Sequence, residues 1–176
     1  MIALGIHASA VVDIRGKATV PESTILEPLA VIFVGPRGSL ELGERNTLYP
    51  HCSIRIDQGW MRTGQEVSFG PGVAIYEPRA GLEIGDHCMI AGGTMICGVN
   101  HGTDAVDKPM RHQAAEAEKI VIENDVWIGM RVVIMPGVVI GRSSIIGAGS
   151  VVTRSIPPES IAWGTPCVVQ NKRARA

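Results

Sequence analysis

A chain of 176 residues is long enough to bury the core of one domain, and its formal net charge of -1 gives no reason to expect nucleic-acid binding. Hydrophobic residues make up 45% of the sequence but aromatic residues only 4%, so the core must consist of aliphatic side chains. The 21 glycines and 11 prolines exclude an ordinary helical bundle and favour many short strands joined by tight turns.

The beginning of the chain and its cysteines predict a soluble, cytoplasmic protein. The N-terminal stretch MIALGIHASAVVD lacks the basic region of a signal peptide, and no uncharged apolar run reaches the ~18 residues of a membrane span. The cysteines lie too far apart for a zinc knuckle or a redox CxxC motif, and we interpret them as reduced: Cys52, Cys88, Cys97 and Cys167.

Along the chain, aliphatic residues recur at every sixth position in successive blocks. The blocks are Ile14, Val20, Leu26 and Ile32; Leu42, Leu48 and Ile54; Phe69 and Ile75; Ile84, Ile90 and Ile96; and Ile122, Ile128, Ile134, Ile140, Ile146 and Val152. A small or β-branched residue follows most of them four positions later. Each interruption falls on a polar or Gly/Pro-rich stretch, and the longest is GVNHGTDAVDKPMRHQAAEAEK.

This period matches neither the ~3.6 residues of a helical turn nor the alternation of a strand. A short strand plus a turn takes about six residues, and three such units close one triangular coil of a β-solenoid. The aliphatic residue points into the prism and the small residue packs at a corner. About eighteen units predict an all-β fold of about six coils, roughly 29 Å tall at the ~4.8 Å strand spacing.

The predicted organisation is a single β-helix domain over residues 1–176. The repeats run from about 12 to 156, a loop protrudes at about 100–121, and a tail covers 157–176.

The stretch ENDVWIGMRVVIMPGVVIGRSSIIGAGSVVTRSIPPESIAWGTPCVVQNKR, residues 123–173, resembles the hexapeptide-repeat acetyltransferases. Within that family it is similar to the group of maltose, galactoside, xenobiotic and polysaccharide O-acetyltransferases. Upstream, IGDHCMIAGGTMICGVNHG followed by KPMRHQ resembles the family's strand, histidine loop and P…Q segment. The resemblance implies a left-handed coil, a homotrimer with active sites between subunits, and acetyl transfer from acetyl-CoA, here to a hydroxyl of a sugar or polysaccharide precursor.

His101 is the candidate catalytic base, because it opens the longest insertion and matches the family's catalytic histidine. A hydroxyl becomes an effective nucleophile when a base removes its proton during attack on the thioester, and an imidazole of pKa ~6.5 suits that task. Collapse of the oxyanion expels the thiolate, so no covalent enzyme intermediate is required. The alternative is a surface histidine in a flexible loop.

Three further residues are candidates for the acceptor side of the site. Asn100 precedes His101, and its amide could instead hold a turn of the prism. His51 falls where related sugar acetyltransferases carry a polar residue near the thioester, and His112 lies in the loop expected to wall the acceptor pocket. A solvated position is the alternative for both histidines.

The resemblance also implies a set of coenzyme A contacts. The carried-over positions are Met130, Gly147, Ala148, Thr153 and Arg154, with Lys172 and Arg173 as further phosphate partners. A structural need for glycine and a merely solvated tail are the alternatives. Val168 stands where relatives often have Arg or Lys, and Trp163 replaces a small residue, either to stack on adenine or to cap the prism.

Two other functions stay open at this point. One is N-acetylation of an amino sugar, or acetylation of a xenobiotic. The other is a metal solenoid like the gamma-class carbonic anhydrases, or a scaffold without activity. Three histidines with an open fourth position would suit zinc. His101 and His112 are eleven positions apart and no H-x4-H pair exists, so we expect no metal.

Overall fold

In the computed structural model, which describes residues 5–174, the six-residue units stack into a parallel β-helix of about seven turns. The predicted all-β solenoid is therefore confirmed, and the coil is consistent with the left-handed form. The outer bounds of the predicted domain, residues 1–4 and 175–176, lie outside the described residues.

The first half of the helix contains two long strands among short ones. Its strands are β1 (Val11–Ile14), β2 (Lys17–Thr19), β3 (Ile25–Leu26), β4 (Val31–Glu41), β5 (Thr47–Leu48), β6 (Ser53–Thr63), β7 (Ser68–Phe69), β8 (Ala74–Tyr76), β9 (Leu82–Ile84), β10 (Met89–Ile90) and β11 (Met95–Cys97). The long strands β4 and β6 pair in parallel and continue around a corner of the prism.

The second half begins with the predicted loop and ends in a hairpin. Its elements are β12 (Asn100–His101), a 3-10 turn (Met110–His112), β13 (Ala115–Glu116), β14 (Ile120–Ile122), β15 (Trp127–Ile128), β16 (Val133–Ile134), β17 (Val139–Ile140), β18 (Ile145–Ile146), β19 (Val151–Val152), β20 (Ser160–Gly164) and β21 (Cys167–Lys172). Strand β21 runs antiparallel to β20.

The strands form three faces. The first face contains β3, β5, β7, β10, β15, β18 and β20; the second contains β1, the first halves of β4 and β6, and β8, β11, β16 and β19; the third contains β2, the second halves of β4 and β6, and β9, β14 and β17. We name the corners in chain order. The first edge follows the first face, the second edge follows the second face, and the third edge follows the third.

Repeat residues of successive coils lie directly above one another inside the prism. On the first face the register places Ile90 beside Ile128 and Ile128 beside Ile146, and on the second face Ile96 beside Ile134. All of these side chains are buried. The aliphatic ladders form one continuous core, as the period predicts. Ile14, in the first coil, is exposed because no full coil lies below it.

The last coil lies within the predicted tail. Ala162 pairs with Ile146 and is fully buried, so the segment after residue 156 begins with one more turn of the helix. This turn accounts for about seven coils where the sequence predicts about six. Alanine occupies the inward position six residues after Ile156, and an aliphatic count does not detect it.

Where the small residue of a unit is polar, its side chain hydrogen-bonds its turn to the next coil. Thr94 donates a hydrogen bond from Oγ1 to the carbonyl of Gly129 (3.0 Å) and accepts one from the N–H of Val132 (3.2 Å). Ser150 donates to the carbonyl of Gly147 (2.6 Å) and accepts from the N–H of Gly164 (3.1 Å). A larger apolar side chain could not satisfy these buried backbone groups.

The predicted loop leaves the second edge after β11 and returns at β14. Its return is anchored by Lys119, whose Nζ lies 2.9 Å from the Glu83 carboxylate and 5.4 Å from the centre of the Trp60 ring. Among residues 5–174, no helix has the length and apolar character needed to cross a bilayer.

Candidate functional site

An apolar groove runs along the first edge, with a volume of about 570 Å3. Four large, exposed side chains line it: Tyr49, Met89, Trp127 and Met130. Turn residues without bulk, among them Gly70 and Gly92, form its floor. Of the predicted coenzyme contacts, Met130 lines this groove.

Gly147 and Ala148 continue the first edge one coil beyond Met130. The N–H of Gly129 bonds to the carbonyl of Ile146 and that of Gly147 to the carbonyl of Ala162, each at 2.8 Å. A Cβ on Gly129 would approach the backbone nitrogen of Ala148 to 2.7 Å. The close approach of the coils is thus a structural reason for glycine on this edge, and a coenzyme contact at Gly147 and Ala148 stays a prediction.

Trp163 extends the same edge by one further coil. A Cβ on Gly147 would lie 2.8 Å from the Cβ of Trp163, so the tryptophan is seated over that glycine. Its side chain is 45% exposed, and its backbone pairs with Val168 in the terminal hairpin. A large aromatic surface thus faces solvent in line with the groove.

His51 also lies on the first edge, but in the tip of a turn rather than in the groove. Its φ of 60° is the left-handed conformation that the same turn position adopts in six successive coils of this edge. The column consists of Leu29, His51, Gly72, Gly93, Arg131 and Gly149. The side chain of His51 is exposed.

Asn100 and His101 project from the second edge on a short hairpin. Asn100 pairs with Glu116 and His101 with Ala115, and both side chains are exposed. Gly102 is buried against the other strand, because a Cβ there would lie 2.5 Å from the carbonyl oxygen of Ala114. The candidate base is therefore held by backbone pairing at the root of the loop.

The other predicted residues of the second edge are His112, Thr153 and Arg154. His112 ends the 3-10 turn in the outer part of the loop. Thr153 and Arg154 follow β19, two coils above the loop, and are exposed. The second edge thus combines the candidate base, the candidate acceptor loop and one candidate phosphate partner.

Lys172 and Arg173 lie on the third edge, apart from the other predicted contacts. The Nζ of Lys172 donates to the carbonyl of Pro158 (2.6 Å), and Nη1 of Arg173 donates to Asp125 (3.2 Å) and to the carbonyl of Ser143 (3.0 Å). These bonds fix the end of β21 to the coil. Within one chain, Lys172 and Arg173 therefore lie on a different edge from Arg154.

The carboxylate of Glu77, which the sequence offers only as a possible orienting partner of the histidine, is buried beneath the loop. The Glu77 side chain is 6% exposed, its Oε1 accepts a hydrogen bond from the N–H of Asp57 (3.4 Å), and its Oε2 lies 3.6 Å from Nε of Arg79. The base of the loop packs on the backbone of the same residue, since a Cβ on Gly98 would lie 2.5 Å from the Glu77 carbonyl oxygen. No repeat pattern distinguishes this glutamate from a surface one.

Charge interactions elsewhere stabilise the coil rather than the candidate site. On the third edge, a hydrogen bond from the Arg45 guanidinium lowers the pKa of Glu66, which also contacts His87 Nδ1 at 2.8 Å. Burial raises the pKa of the Cys52 thiol to about 12. Within residues 5–174, no three His, Cys, Asp or Glu side chains cluster in a way that would hold a metal ion.

The coil of six-residue units, with an apolar groove on one edge and a histidine loop on another, defines a hexapeptide-repeat solenoid. The family described as "Bacterial transferase hexapeptide (six repeats)" matches residues 119–154. The galactoside O-acetyltransferase of Lactococcus lactis is 39% identical over 115 residues, which cover 62% of this chain and 54% of that protein.

Solved structures share this fold. A Bacillus cereus protein described as an acetyltransferase superposes with a TM-score of 0.75 at 20% identity, over 95% of this chain and 86% of its own, which shows the shared fold. A hexapeptide-repeat acetyltransferase of Vibrio cholerae, solved with acetyl-CoA, gives a TM-score of 0.52 at 25% identity, over 87% and 72% of the two chains.

Residues 119–154 thus carry the hexapeptide repeat of this family, and the chain is similar to hexapeptide-repeat acetyltransferases. It spans about half the length of the curated relatives that it matches.

Proposed function

We propose that the protein transfers an acetyl group from acetyl-CoA to a hydroxyl of a sugar or polysaccharide precursor. One observation carries the proposal: the apolar groove of the first edge and the His101 loop of the second edge flank the same face of the prism. The Vibrio cholerae relative binds acetyl-CoA and the Lactococcus lactis relative is a galactoside O-acetyltransferase, which supports this donor and this class of acceptor.

The face between these edges favours assembly as a homotrimer. Its outward side chains are mostly small or apolar: Val11, Val31, Ala74, Met95, Val133 and Val151. The outward side chains of the third face include four charged ones, Lys17, Glu41, Arg62 and Glu83, whereas those of the second face include two, Asp13 and Arg55. Three copies with their second faces toward a common axis would bring the first edge of each copy beside the second edge of the next.

A composite site of this kind fits coenzyme A. Trp127 and Met130 offer apolar surface to the pantetheine arm, and the bulk-free turns at Gly147 and Ala148 let the arm approach backbone groups. From the neighbouring copy, Arg154 and Thr153 would reach the phosphates, because a guanidinium binds phosphate in a bidentate manner. Lys172 and Arg173 remain candidates for a more distant phosphate contact.

In this proposal His101 is the general base. Its imidazole accepts the proton of the acceptor hydroxyl while the hydroxyl oxygen bonds to the thioester carbonyl carbon. The oxyanion then re-forms the carbonyl, the carbon–sulfur bond breaks, and the thiolate takes the proton back from the imidazolium. An O-acetyl ester and free coenzyme A result. Asn100, His51 and His112 are proposed to contact the acceptor.

We also propose a cytoplasmic location. Cys52, Cys88, Cys97 and Cys167 are all free thiols, which fits a reducing compartment.

The test is thiol release from acetyl-CoA with a panel of sugars, nucleotide sugars and amino sugars. Acceptor-dependent release should fall by about 10²- to 10⁴-fold in His101→Ala, the usual contribution of a positioned base. His7→Ala, an exposed histidine near the N-terminus, is the matched control and should keep full activity. If no acceptor releases thiol and calorimetry detects no coenzyme A binding, the proposal is wrong. A preference for amino sugars would instead show that the enzyme acetylates an amine rather than a hydroxyl.

A further inference from the structure

The carboxamide of Gln113 closes the histidine loop on itself. Its Oε1 accepts a hydrogen bond from the N–H of Ala105 (3.1 Å), and its Nε2 donates to the carbonyls of Ala105 (2.8 Å) and Lys108 (2.9 Å). One side chain thus bonds three backbone groups, and two of them belong to a residue eight positions away. The two bonds to Ala105, one to its N–H and one to its carbonyl, have the same pattern as the pair of hydrogen bonds between two β-strand residues.

Few other contacts order the outer loop. Two consecutive backbone bonds form its 3-10 turn, from His112 to Pro109 (2.9 Å) and from Gln113 to Met110 (3.0 Å). Val106 and Met110 are exposed at its tip. Fixing a segment of this length costs conformational entropy at each residue, so a side chain that satisfies three backbone groups has a large share in its order.

Gln113 is connected to the candidate base through two residues of chain. Ala114, which follows it, packs against Gly102, and Ala115 pairs with His101. The hairpin has only two residue pairs, so its register depends on what holds the chain beyond it. A displacement of Gln113 would therefore reach His101 through Ala114 and Ala115.

We propose that Gln113 is a positioning residue for His101. The proposal rests on the proposed function, and it names a side chain whose amide is occupied by backbone groups of the loop. The amide holds the far arm of the hairpin at a fixed distance from Ala105 and Lys108, and the hairpin in turn fixes where the imidazole stands. Misplacement of a catalytic group by about 1 Å can cost about 10²-fold in rate.

The variant Gln113→Glu distinguishes the hydrogen bonds of the Gln113 amide from the space that the side chain fills. Glutamate has nearly the same shape and still accepts the Ala105 N–H, but its carboxylate cannot donate to the two carbonyls and is repelled by them. Gln170→Glu makes the same change on the exposed strand β21, far from the loop, and is the matched control. Gln113→Ala removes all three bonds.

Two measurements test the proposal. In the assay described above, kcat should fall by about 10- to 100-fold in Gln113→Glu and Gln113→Ala, with the KM for acetyl-CoA within about twofold of wild type. Combining Gln113→Ala with His101→Ala should cost nothing beyond His101→Ala, because a positioning residue has no effect once the group it positions is gone. Separately, trypsin should cut after the exposed Arg111 several-fold faster in both Gln113 variants.

Each result bears on a different step. Unchanged cleavage after Arg111 in Gln113→Glu would overturn the closure of the loop by this amide. Faster cleavage with an unchanged kcat, or a loss that adds to that of His101→Ala, would overturn the positioning role. If the wild type itself transfers no acetyl group, the proposed function fails and the role toward His101 fails with it, while trypsin still reports on the closure.

Discussion

The side chain of Asn46 accepts a hydrogen bond at 3.1 Å from the backbone N–H of Val67, one coil further along the helix. Its Nδ2 donates to the carbonyls of Gly43 (2.6 Å) and Gly64 (3.0 Å), and the residue is fully buried. One amide in the position of the unit's small residue therefore joins two coils of the third edge. This explains why a polar residue stands inside an aliphatic prism.

Replacing Asn46 with alanine should lower the free energy of unfolding by about 2–4 kcal/mol, because the buried N–H of Val67 and the carbonyls of Gly43 and Gly64 lose their partner. Urea unfolding would measure the change. The control is Asn124→Ala, since Asn124 is exposed and accepts one hydrogen bond, from the N–H of Asp86 at 3.0 Å. It should cost less than about 1 kcal/mol. Equal losses in the two variants would contradict the role assigned to burial.

Replacing Trp163 tests whether the adenine of acetyl-CoA stacks on this side chain. In Trp163→Ala we expect the KM for acetyl-CoA to rise about 5- to 20-fold, the order of one base–aromatic stack, with kcat within about twofold. S-acetylpantetheine, which has no adenine, is the control donor, and its kcat/KM should not change. If both donors lose equally, Trp163 caps the prism and makes no adenine contact.

The repeat predicted the interior of the fold because its period is a direct consequence of strand and turn length. It predicted that Ile90, Ile128 and Ile146 point into the prism, and the register then places the three on one ladder. The same period could not sort outward residues, so Tyr49 and Met89 emerged as groove residues only in the structure. Whether an outward side chain lines a groove depends on the neighbouring coils and not on its own unit.

The parts of the site that break the repeat were the least predictable. His101 was found by its motif, but the bonds of Gln113 to Ala105 and Lys108 depend on a loop conformation that no period encodes. Lys172 and Arg173 were grouped with Arg154 on charge alone. The antiparallel return of β21 puts them on another edge, bonded to Pro158 and Asp125.

The buried thiols predict how stability depends on pH. Burial raises the pKa of Cys52 to about 12 and that of Cys88 to about 11, from an ordinary value of 9.0. Between pH 9 and pH 11 the unfolded chain releases these protons and the folded chain keeps them. The free energy of unfolding should therefore be constant below pH 9 with respect to these groups and fall above it, by up to about 1.4 kcal/mol per pH unit for each thiol.

Urea unfolding at a series of pH values would measure this slope. Cys52→Ala should flatten the decline above pH 9, whatever it does to stability at neutral pH, because one ionising group is gone. Cys97→Ala is the comparison, since Cys97 is only partly buried. A slope that is the same in Cys52→Ala and in wild type would show that alkaline destabilisation has another origin.

The division of the proposed site between two edges can be tested by mixing inactive variants. His101→Ala damages the second edge, and Met130→Asp places a charge in the apolar groove of the first edge. In mixed trimers of equal amounts, a site is intact when it takes its groove from a His101→Ala copy and its loop from a Met130→Asp copy. Half of the copies qualify on each side, so about a quarter of wild-type activity should return.

The control for this experiment mixes Met130→Asp with Trp127→Asp. Both changes lie in the groove of the first edge, so no arrangement of copies rebuilds an intact groove and activity should stay absent. Native mass spectrometry would establish that the copies have exchanged. Exchange without recovery in the first mixture, or a stable 18.7 kDa species in sedimentation of the wild type, would mean that each chain carries a whole site or none. Recovery in the first mixture alone would assign the groove and the histidine of each site to different copies.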